Sequence, residues 1–271
     1  MSITAATKVY GVIGDPVSHS LSPVMHNGWI ADHGLDAVYV ALPLKSDDPV
    51  AAIRALNGFA GLNVTVPYKE AAAKAAARSE GLAANVLRRE EDGAFSAFNT
   101  DGLGFIDSLS EGAPDWRARV RRVLILGAGG GALGLGQALS PYVDTIHFAN
   151  RTAARGEQTA AAIPNGRTTR WDDLERAFGH ADLIVQTTTL GMADQPEMDW
   201  PVALCRPNAI IADIVYRPLD TPLLQAARAR NLIAIDGLGM LIHQGARAFE
   251  LWFGIQPDVA KARQRLLAAL A

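Results

Sequence analysis

Short runs of β-branched and aliphatic residues alternate with Ala- and Leu-rich stretches along most of the chain, and this alternation limits the possible folds more than any other feature. In the first series, strands are predicted at Lys8–Gly14, Ala37–Leu44 and Gly61–Val66, each followed by a stretch with helical periodicity. Strand–helix alternation at this spacing predicts a largely parallel sheet with helices on both faces. The predicted fold class is therefore α/β.

A second series of the same kind begins at Arg122. Its predicted strands are Val123–Leu126, Thr145–Ala149, Leu183–Thr187, Ala209–Val215 and Leu232–Ile235. The first of these is wholly apolar, as expected of a strand that is covered on both faces. Between the two series, the charged segment Ser110–Arg119 is predicted to be the joint. Two helical stretches end the chain with no strand after them, and we expect this tail to pack against the first domain.

Composition limits the class of protein. The chain has 271 residues, of which 49% are hydrophobic and 20% charged, so it can form a sizeable core. The formal net charge of −3 leaves no excess of basic residues to drive nucleic-acid binding. The lone cysteine, Cys205, excludes an internal disulfide and is typical of a reducing compartment. No apolar run has the length of a membrane-spanning helix, and we expect a globular cytoplasmic protein with neither a nucleic-acid nor a membrane partner.

A glycine-rich turn, Gly127–Ala132, follows the first strand of the second series and opens a predicted helix. Glycines at this place let the backbone approach a pyrophosphate, whose charge is stabilised by free N–H groups at the helix N-terminus. The alternative is a tight turn without a ligand, but the strand, the helix and the continuing βαβ series favour dinucleotide binding. The residues predicted to contact the cofactor here are Gly127, Ala128, Gly129, Gly130 and Gly131.

The residues after the next predicted strand indicate which dinucleotide binds. NAD-binding proteins usually have a carboxylate about 20 positions further on, where it accepts a hydrogen bond from the ribose. This chain instead has Asn150, Arg151 and Thr152 there, with Arg155 one turn later. Two guanidinium groups can pair with a 2′-phosphate, so the pattern favours NADP over NAD. The alternative is a solvated helix end that happens to carry arginine.

Polar side chains cluster where predicted strands of the first series end. Ser20 and Ser22 lie two positions apart in an extended loop, so both hydroxyls can reach one carboxylate or polyol, although Ser22 also fits a helix N-cap. Asn63 and Thr65 point to one side at the end of their strand, with Asn85 close by in sequence. Ligands of open α/β sheets bind at the carboxyl ends of strands, so these residues are candidate ligand contacts.

Lys69 and Asp101 are the candidate acid–base pair. Lys69 falls in a first helical turn, where the helix dipole disfavours a cation, and lysine is scarce beside arginine in this chain. Asp101 follows a strand and opens a helix, as either an N-cap or the carboxylate partner of Lys69. A surface lysine is the alternative for Lys69. No metal site is predicted, because His19 and His26 lack a third ligand at a suitable spacing.

Over nearly its full length the chain resembles the shikimate dehydrogenase family. The matching stretches are Gly14–Asn27 (GDPVSHSLSPVMHN), Asn63–Glu70 (NVTVPYKE), Asn99–Gly104 (NTDGLG), Gly127–Ala132, Asn150–Thr152, Asp213–Leu224 (DIVYRPLDTPLL) and Gly237–Phe253 (GLGMLIHQGARAFELWF). The resemblance implies reversible reduction of 3-dehydroshikimate to shikimate with NADPH, a step of aromatic amino-acid biosynthesis. It also implies a substrate domain, residues 1–108 and 239–271, with a Rossmann-type nucleotide domain, residues 109–238, inserted into it.

The resemblance also implies roles for individual residues. Ser20 and Ser22 would hold the substrate carboxylate, and Lys69 and Asp101 would form the catalytic pair. Further implied contacts to the ring hydroxyls or the carboxylate are Asn63, Thr65, Asn85, Tyr216 and Gln244. The implied contacts to the NADP phosphate are Asn150, Arg151, Thr152 and Arg155. Met240 would lie by the nicotinamide, with Gly237 as a further cofactor contact.

Two other functions stay open at this point. A quinate/shikimate dehydrogenase of the same fold, using NAD or NADP, is disfavoured by the pair Ser20 and Ser22. A non-catalytic NADP-binding protein would not need Lys69 and Asp101 together. One departure from the family pattern, Gln186 in place of a usual asparagine, predicts a changed contact near the nicotinamide. Both a monomer and a homodimer are compatible with the sequence.

Overall fold

The chain folds into two compact units. The computed structural model describes residues 3–79, 81–192, 195 and 198–270. The first unit is formed by Met1–Thr100 and Ile242–Ala271, and the second by Asp101–Leu241. The C-terminal tail therefore belongs to the first unit, as expected. The functional domain boundaries at 108/109 and 238/239 stay a prediction.

The helices and strands follow the alternation that the sequence predicts. Those of the first unit up to Thr100 are β1 (Lys8–Gly14), α1 (Ser22–Asp32), β2 (Ala37–Pro43), α2 (Pro49–Ala55), β3 (Phe59–Val64), α3 (Lys69–Ala75), β4 (Arg78–Ser79), β5 (Val86–Arg89) and β6 (Phe95–Phe98). Those of the second unit are α4 (Asp101–Gly112), α5 (Trp116–Arg119), β7 (Arg122–Leu126), α6 (Gly130–Leu139), β8 (Thr145–Ala149), α7 (Ala153–Ala161), β9 (Gly166–Thr169), α8 (Leu174–His180), β10 (Leu183–Gln186), β11 (Ile210–Asp213), α9 (Pro222–Ala229) and β12 (Ile233–Ile235). The division between the units falls within α10 (Gly237–Phe253), and α11 (Val259–Leu270) follows.

The sheet of the first unit has the strand order β2-β1-β3-β5-β6-β4. Strand β1 pairs in parallel with β2 and β3, whereas β5 runs antiparallel to both β3 and β6. The carboxyl ends of β1, β3 and β6 therefore lie at the same edge as the start of β5. Ser20, Asn63, Thr65 and Asn85, four of the predicted ligand contacts of the first unit, lie at or close to this edge.

Aromatic side chains pack one face of this sheet against α1 and α10. Tyr10 of β1 and Tyr39 of β2 are register partners, and both rings contact Trp252 of α10. His26 of α1 stacks on Tyr39 with the ring centroids 4.3 Å apart. Gly61 of β3 leaves the space that the Trp252 ring occupies, because a Cβ at this position would overlap the indole. The strands that carry the candidate site are thus held by a rigid aromatic layer.

The sheet of the second unit is parallel throughout, in the order β12-β11-β10-β7-β8-β9. Numbered from β7, this is the 3-2-1-4-5-6 order of Rossmann nucleotide-binding domains. The order reverses between β7 and β10, and ligands of such sheets bind in the crevice at that point. The glycine-rich turn leaves β7 at this position.

Two segments of the second unit differ from the prediction. The segment predicted as the joint lies inside this unit, where Trp116 is fully buried and its indole N–H donates to Ser110 Oγ at 2.9 Å. The charged neighbours of Trp116 mask this buried contact in the sequence pattern. Strand β9 was not predicted because it is short, polar and at the sheet edge. Among the described residues, no helix has both the length and the apolar character needed to cross a membrane.

Candidate active site

The structure brings together three predicted substrate contacts of the first unit in one buried hydrogen-bond network. Asn85 Oδ1 accepts from the Thr100 N–H at 2.7 Å, and Asn85 Nδ2 donates to Gln244 Oε1 at 3.0 Å. Thr100 Oγ1 donates to the Gln244 carbonyl oxygen at 3.0 Å. Asn63 Nδ2 donates to the Asn85 carbonyl oxygen at 3.3 Å. Because buried polar groups cost free energy unless they are hydrogen-bonded, the network holds these side chains in defined orientations.

Tyr39 belongs to this network, and the sequence analysis missed it. Its hydroxyl donates to Asn63 Oδ1 at 2.7 Å, and the side chain is 2% exposed. Burial raises the pKa of Tyr39 well above its ordinary value, and the nearby Ser22 side chain acts in the opposite direction. The only sequence signal was a hydroxyl in an otherwise apolar strand, and nothing in the spacing links Tyr39 to Asn63.

The predicted carboxylate contacts lie at the start of α1. Ser22 is the first residue of this helix and Leu21 occupies the cap position, so the prediction of Ser22 as the N-cap is wrong by one residue. The Ser20 hydroxyl oxygen accepts from the Ser22 N–H at 3.2 Å and so satisfies one free donor of the helix start. Ser22 itself is buried, and Ser20 is half-buried.

Thr65 follows β3 and packs closely against the end of β1. Its N–H donates to the Ile13 carbonyl oxygen at 2.9 Å, and its own carbonyl accepts from the Tyr68 N–H at 3.0 Å. A Cβ at Gly14 would overlap the Thr65 methyl group, so glycine is required for this approach. The half-buried Thr65 is thereby placed at the same sheet edge as Asn63.

Lys69 and Asp101 each begin a helix, α3 and α4 respectively. The Lys69 carbonyl oxygen accepts from the Ala84 N–H at 2.8 Å, one residue before Asn85. Asp101 directly follows Thr100, whose N–H is held by Asn85. Both side chains are half-buried. Lys69 belongs to the first unit and Asp101 to the second, and their catalytic pairing stays a prediction.

The glycine-rich turn of the second unit has room for a phosphate group. Gly127 has a φ of 116°, and a Cβ there would lie 2.6 Å from Thr187 Oγ1, so both conformation and packing require glycine. At the exposed Gly129 and Gly130, a Cβ would meet no atom within 4 Å. This open space adjoins the unpaired N–H groups at the start of α6, an arrangement that fits a pyrophosphate. Ala128 and Gly131 complete the turn and are half-buried.

The two arginines that are predicted to bind the NADP phosphate, Arg151 and Arg155, are exposed at the start of α7. Thr152 is the N-cap of this helix and its side chain makes no capping bond, while Asn150 Nδ2 donates to the Thr152 carbonyl oxygen at 2.9 Å. Neither Arg151 nor Arg155 forms an ion pair with any residue that the structure describes. Two guanidinium groups and a helix N-terminus are therefore available to one anion.

The buried carboxylate of Asp213 accepts two hydrogen bonds from the loop that carries Tyr216. Asp213 ends β11, is 2% exposed, and accepts from the Val215 N–H at 2.9 Å and from Thr221 Oγ1 at 2.8 Å. Burial raises the pKa of Asp213 to about 6, although both hydrogen bonds act in the opposite direction. Tyr216 lies in the sequence between Val215 and Thr221, the two residues that donate to Asp213. It is half-buried, and burial raises its pKa as well.

Gly237 and Gln186 each stabilise a local backbone arrangement in the second unit. A Cβ at Gly237 would overlap the Ile214 carbonyl oxygen, so glycine allows α10 to start against that loop. The fully buried Gln186 donates to the Leu190 carbonyl oxygen at 2.6 Å and thus closes its own loop. Met240 is partly buried and packs against the core of this unit. The cofactor contacts implied for Gly237 and Met240 stay predictions.

Fold and site together define a class of protein: an α/β protein in which a Rossmann-type nucleotide domain accompanies a second α/β unit with a buried polar site. The family model described as the shikimate dehydrogenase substrate binding domain matches residues 12–86, and that of the shikimate 5′-dehydrogenase C-terminal domain matches residues 237–267. A curated shikimate dehydrogenase (NADP(+)) of Rhodospirillum rubrum is 43% identical, over 96% of this chain and 96% of its own length. One from Dinoroseobacter shibae is 40% identical, over 93% and 94%. The chain belongs to the shikimate dehydrogenase family.

Solved structures have the same fold. A crystal structure of shikimate dehydrogenase in complex with NADP+ matches with a TM-score of 0.89 and 32% identity, over 100% of this chain and 98% of that chain. The enzyme from Thermus thermophilus in complex with NADP(H) and shikimate has a TM-score of 0.85 and 31% identity, over 97% and 100%. Quinate dehydrogenase from Corynebacterium glutamicum in complex with NAD has 0.88 and 30%, over 97% and 99%. The predicted two-domain α/β fold is confirmed.

We predict that Asp213 makes protein stability depend on pH. Its pKa is about 6 in the folded chain against an ordinary value of 3.8, so the folded state binds this proton more tightly than the unfolded state. The contribution to the free energy of unfolding therefore increases as the pH falls through 6 towards 4, and is lost above 6. Between pH 7.5 and 4.5 it amounts to about 2 kcal/mol.

Denaturant unfolding of the wild type and Asp213→Asn at both pH values measures this contribution. Asparagine keeps the shape of the side chain without titrating, so the wild type should gain about 2 kcal/mol over the variant at the lower pH. Glu157→Gln, at an exposed position of the same unit, is the control and should follow the wild type. A pH-independent difference between wild type and Asp213→Asn would contradict the prediction.

Proposed function

We propose that this chain catalyses the reversible NADP-dependent reduction of 3-dehydroshikimate to shikimate in aromatic amino-acid biosynthesis. It would act as an oxidoreductase on the CH–OH group of shikimate. Relatives of about 40% identity over nearly the whole chain are named shikimate dehydrogenase (NADP(+)). In the structure, the observation that carries the proposal is the buried amide network of Asn63, Asn85 and Gln244, in the same unit as Lys69.

The first unit offers groups that suit a small hydroxylated carboxylic acid. Ser20 and Ser22 donate hydrogen bonds to the carboxylate in this proposal. The contacts proposed for the ring hydroxyls or the carboxylate are Asn63, Thr65, Asn85 and Gln244 of this unit, together with Tyr216 of the second unit. Since the amides are already held by the protein, little side-chain freedom is lost when the substrate binds.

The reaction needs a proton at the carbonyl oxygen of the substrate, where negative charge develops during reduction. Lys69 donates this proton in the reducing direction and accepts it in the oxidising direction, while Asp101 orients the amine and the substrate hydroxyl. A positioned general acid contributes about 10²–10⁴-fold to the rate. NADPH, when bound, supplies the hydride for the keto carbon.

The second unit would hold the cofactor. The open backbone of Gly129 and Gly130 and the start of α6 suit the pyrophosphate. Asn150, Arg151, Thr152 and Arg155 would surround the 2′-phosphate, and the two arginines are the reason for preferring NADP to NAD. Gly237 and Met240 are placed beside the nicotinamide in this proposal.

We also infer a cytoplasmic location and a monomeric or homodimeric protein. Cys205 is buried and free, and burial raises the pKa of its thiol to about 11, so it stays protonated and unreactive at neutral pH. An unpaired cysteine of this kind suits a reducing compartment. The second candidate function, oxidation of quinate, is favoured by the shared fold with the quinate dehydrogenase of Corynebacterium glutamicum.

Initial rates test the proposed function against its alternatives. We expect kcat/KM with shikimate and NADP to exceed that with quinate, or with NAD, by about tenfold or more. Equal values for both acids would instead indicate the quinate/shikimate enzyme. Binding of NADP without any change in absorbance on adding shikimate would indicate a non-catalytic protein and contradict the proposal.

The variant Lys69→Ala tests the catalytic assignment. We predict a fall in kcat of at least about 100-fold, because the proton donor is removed, while shikimate still binds. Steady-state rates and calorimetric titration measure the two quantities separately. Lys74→Ala, at an exposed position of the same helix, is the matched control and should keep the wild-type rate. Near-normal turnover in Lys69→Ala would reject the assignment.

A further inference from the structure

Hydrogen bonds with Asn85 and Tyr39 hold the Asn63 carboxamide at its two ends. The Tyr39 hydroxyl donates to Asn63 Oδ1 at 2.7 Å, and Asn63 Nδ2 donates to the Asn85 carbonyl oxygen at 3.3 Å. A carbonyl oxygen can only accept, so the group facing Asn85 has to be the amide nitrogen. Rotating the carboxamide by 180° would place two carbonyl oxygens against each other. The Asn85 carbonyl therefore sets the orientation of the carboxamide, and the Tyr39 hydroxyl anchors Oδ1 in that orientation.

Tyr39 is itself held rigidly on three sides. The Asn27 side chain donates to the Tyr39 carbonyl oxygen at 2.8 Å and accepts from the Tyr39 N–H at 2.9 Å. The ring of His26 stacks on the phenol ring at an interplanar angle of 9°. Trp252 contacts the phenol from α10. These contacts hold the Tyr39 ring in place, and they therefore hold the hydroxyl that donates to Asn63 as well.

His26 contributes only the face of its ring to this arrangement. Both ring nitrogens lack a hydrogen-bond partner among the described residues. Burial lowers the pKa of His26 to about 3, and the Asn63 side chain acts in the opposite direction. The ring is thus neutral at physiological pH and acts as an apolar surface beneath Tyr39.

With one N–H of Nδ2 bonded to Asn85 and Oδ1 held by Tyr39, the second N–H of Nδ2 is the remaining donor of Asn63. We propose that Tyr39 is a positioning residue that holds Asn63 in place as a hydrogen-bond donor to one ring oxygen of the substrate, and so helps to determine specificity for the hydroxylation pattern of the ring. This inference rests on the proposed function, in which Asn63 contacts the substrate. A site built to bond a hydroxyl discriminates strongly against the analogue that lacks it.

The variant Tyr39→Phe removes the hydroxyl and keeps the ring that His26 and Trp252 contact. Without the hydroxyl, Oδ1 loses its partner and the Asn63 carboxamide is held at one end only, so KM for shikimate should rise about tenfold while kcat changes less than about threefold. The control is Tyr10→Phe, because Tyr10 is the register partner of Tyr39 and also contacts Trp252. It should leave both constants unchanged.

Shikimate analogues that each lack one ring hydroxyl distinguish positioning from a general structural effect. The wild type should discriminate against the analogue lacking the hydroxyl that Asn63 binds, and Asn63→Ala identifies that analogue by losing the discrimination. In Tyr39→Phe, kcat/KM should fall about tenfold for shikimate but less than about threefold for that analogue. An equal fall for shikimate and every analogue would show a structural role and overturn the inference.

The outcome for the wild type separates this inference from the proposed function. If the wild-type chain does not oxidise shikimate at all, the proposed function fails. If it does, and Tyr39→Phe retains full discrimination among the analogues, only the positioning role of Tyr39 is refuted. Thermal unfolding of Tyr39→Phe and Tyr10→Phe establishes that both variants are folded at the assay temperature.

Discussion

Buried side-chain amides at a sheet edge can exist only if nearly every donor and acceptor is paired, and this requirement organises the candidate substrate site. Asn63 and Asn85 are almost fully buried, and each forms hydrogen bonds with more than one other residue of the protein. The partners come from β2, from the chain just after β6, and from α10. Strand order, the antiparallel start of β5 and the return of the C-terminal helix are therefore all needed to complete one network.

The two units present different kinds of chemical group to their proposed ligands. The second unit offers backbone: glycines without side chains, free N–H groups and exposed arginines, which suit a large anion. The first unit offers fixed side chains, which suit a small ligand whose hydroxyls have to be told apart. Both sets lie at the carboxyl ends of parallel strands, where α/β sheets place their ligands.

Features that depend on local sequence could be predicted, and features that depend on distant partners could not. Periodicity located β1 and β8 to the residue, and the glycine-rich turn followed from the strand and helix beside it. Tyr39 was missed because its role depends on Asn63, 24 residues further along the chain. Asp213 was read only as part of a matching stretch, since its two hydrogen bonds and its burial appear in three dimensions alone.

A crystal structure of the chain with shikimate and NADP+ measures the central claim directly. The account predicts Asn63 Nδ2 within about 3.2 Å of a ring oxygen, with Tyr39 still bonded to Asn63 Oδ1. It also predicts the Lys69 amine at hydrogen-bond distance from the hydroxyl that is oxidised. Shikimate bound away from this sheet edge, or facing Asn63 Oδ1 in place of Nδ2, would contradict the account.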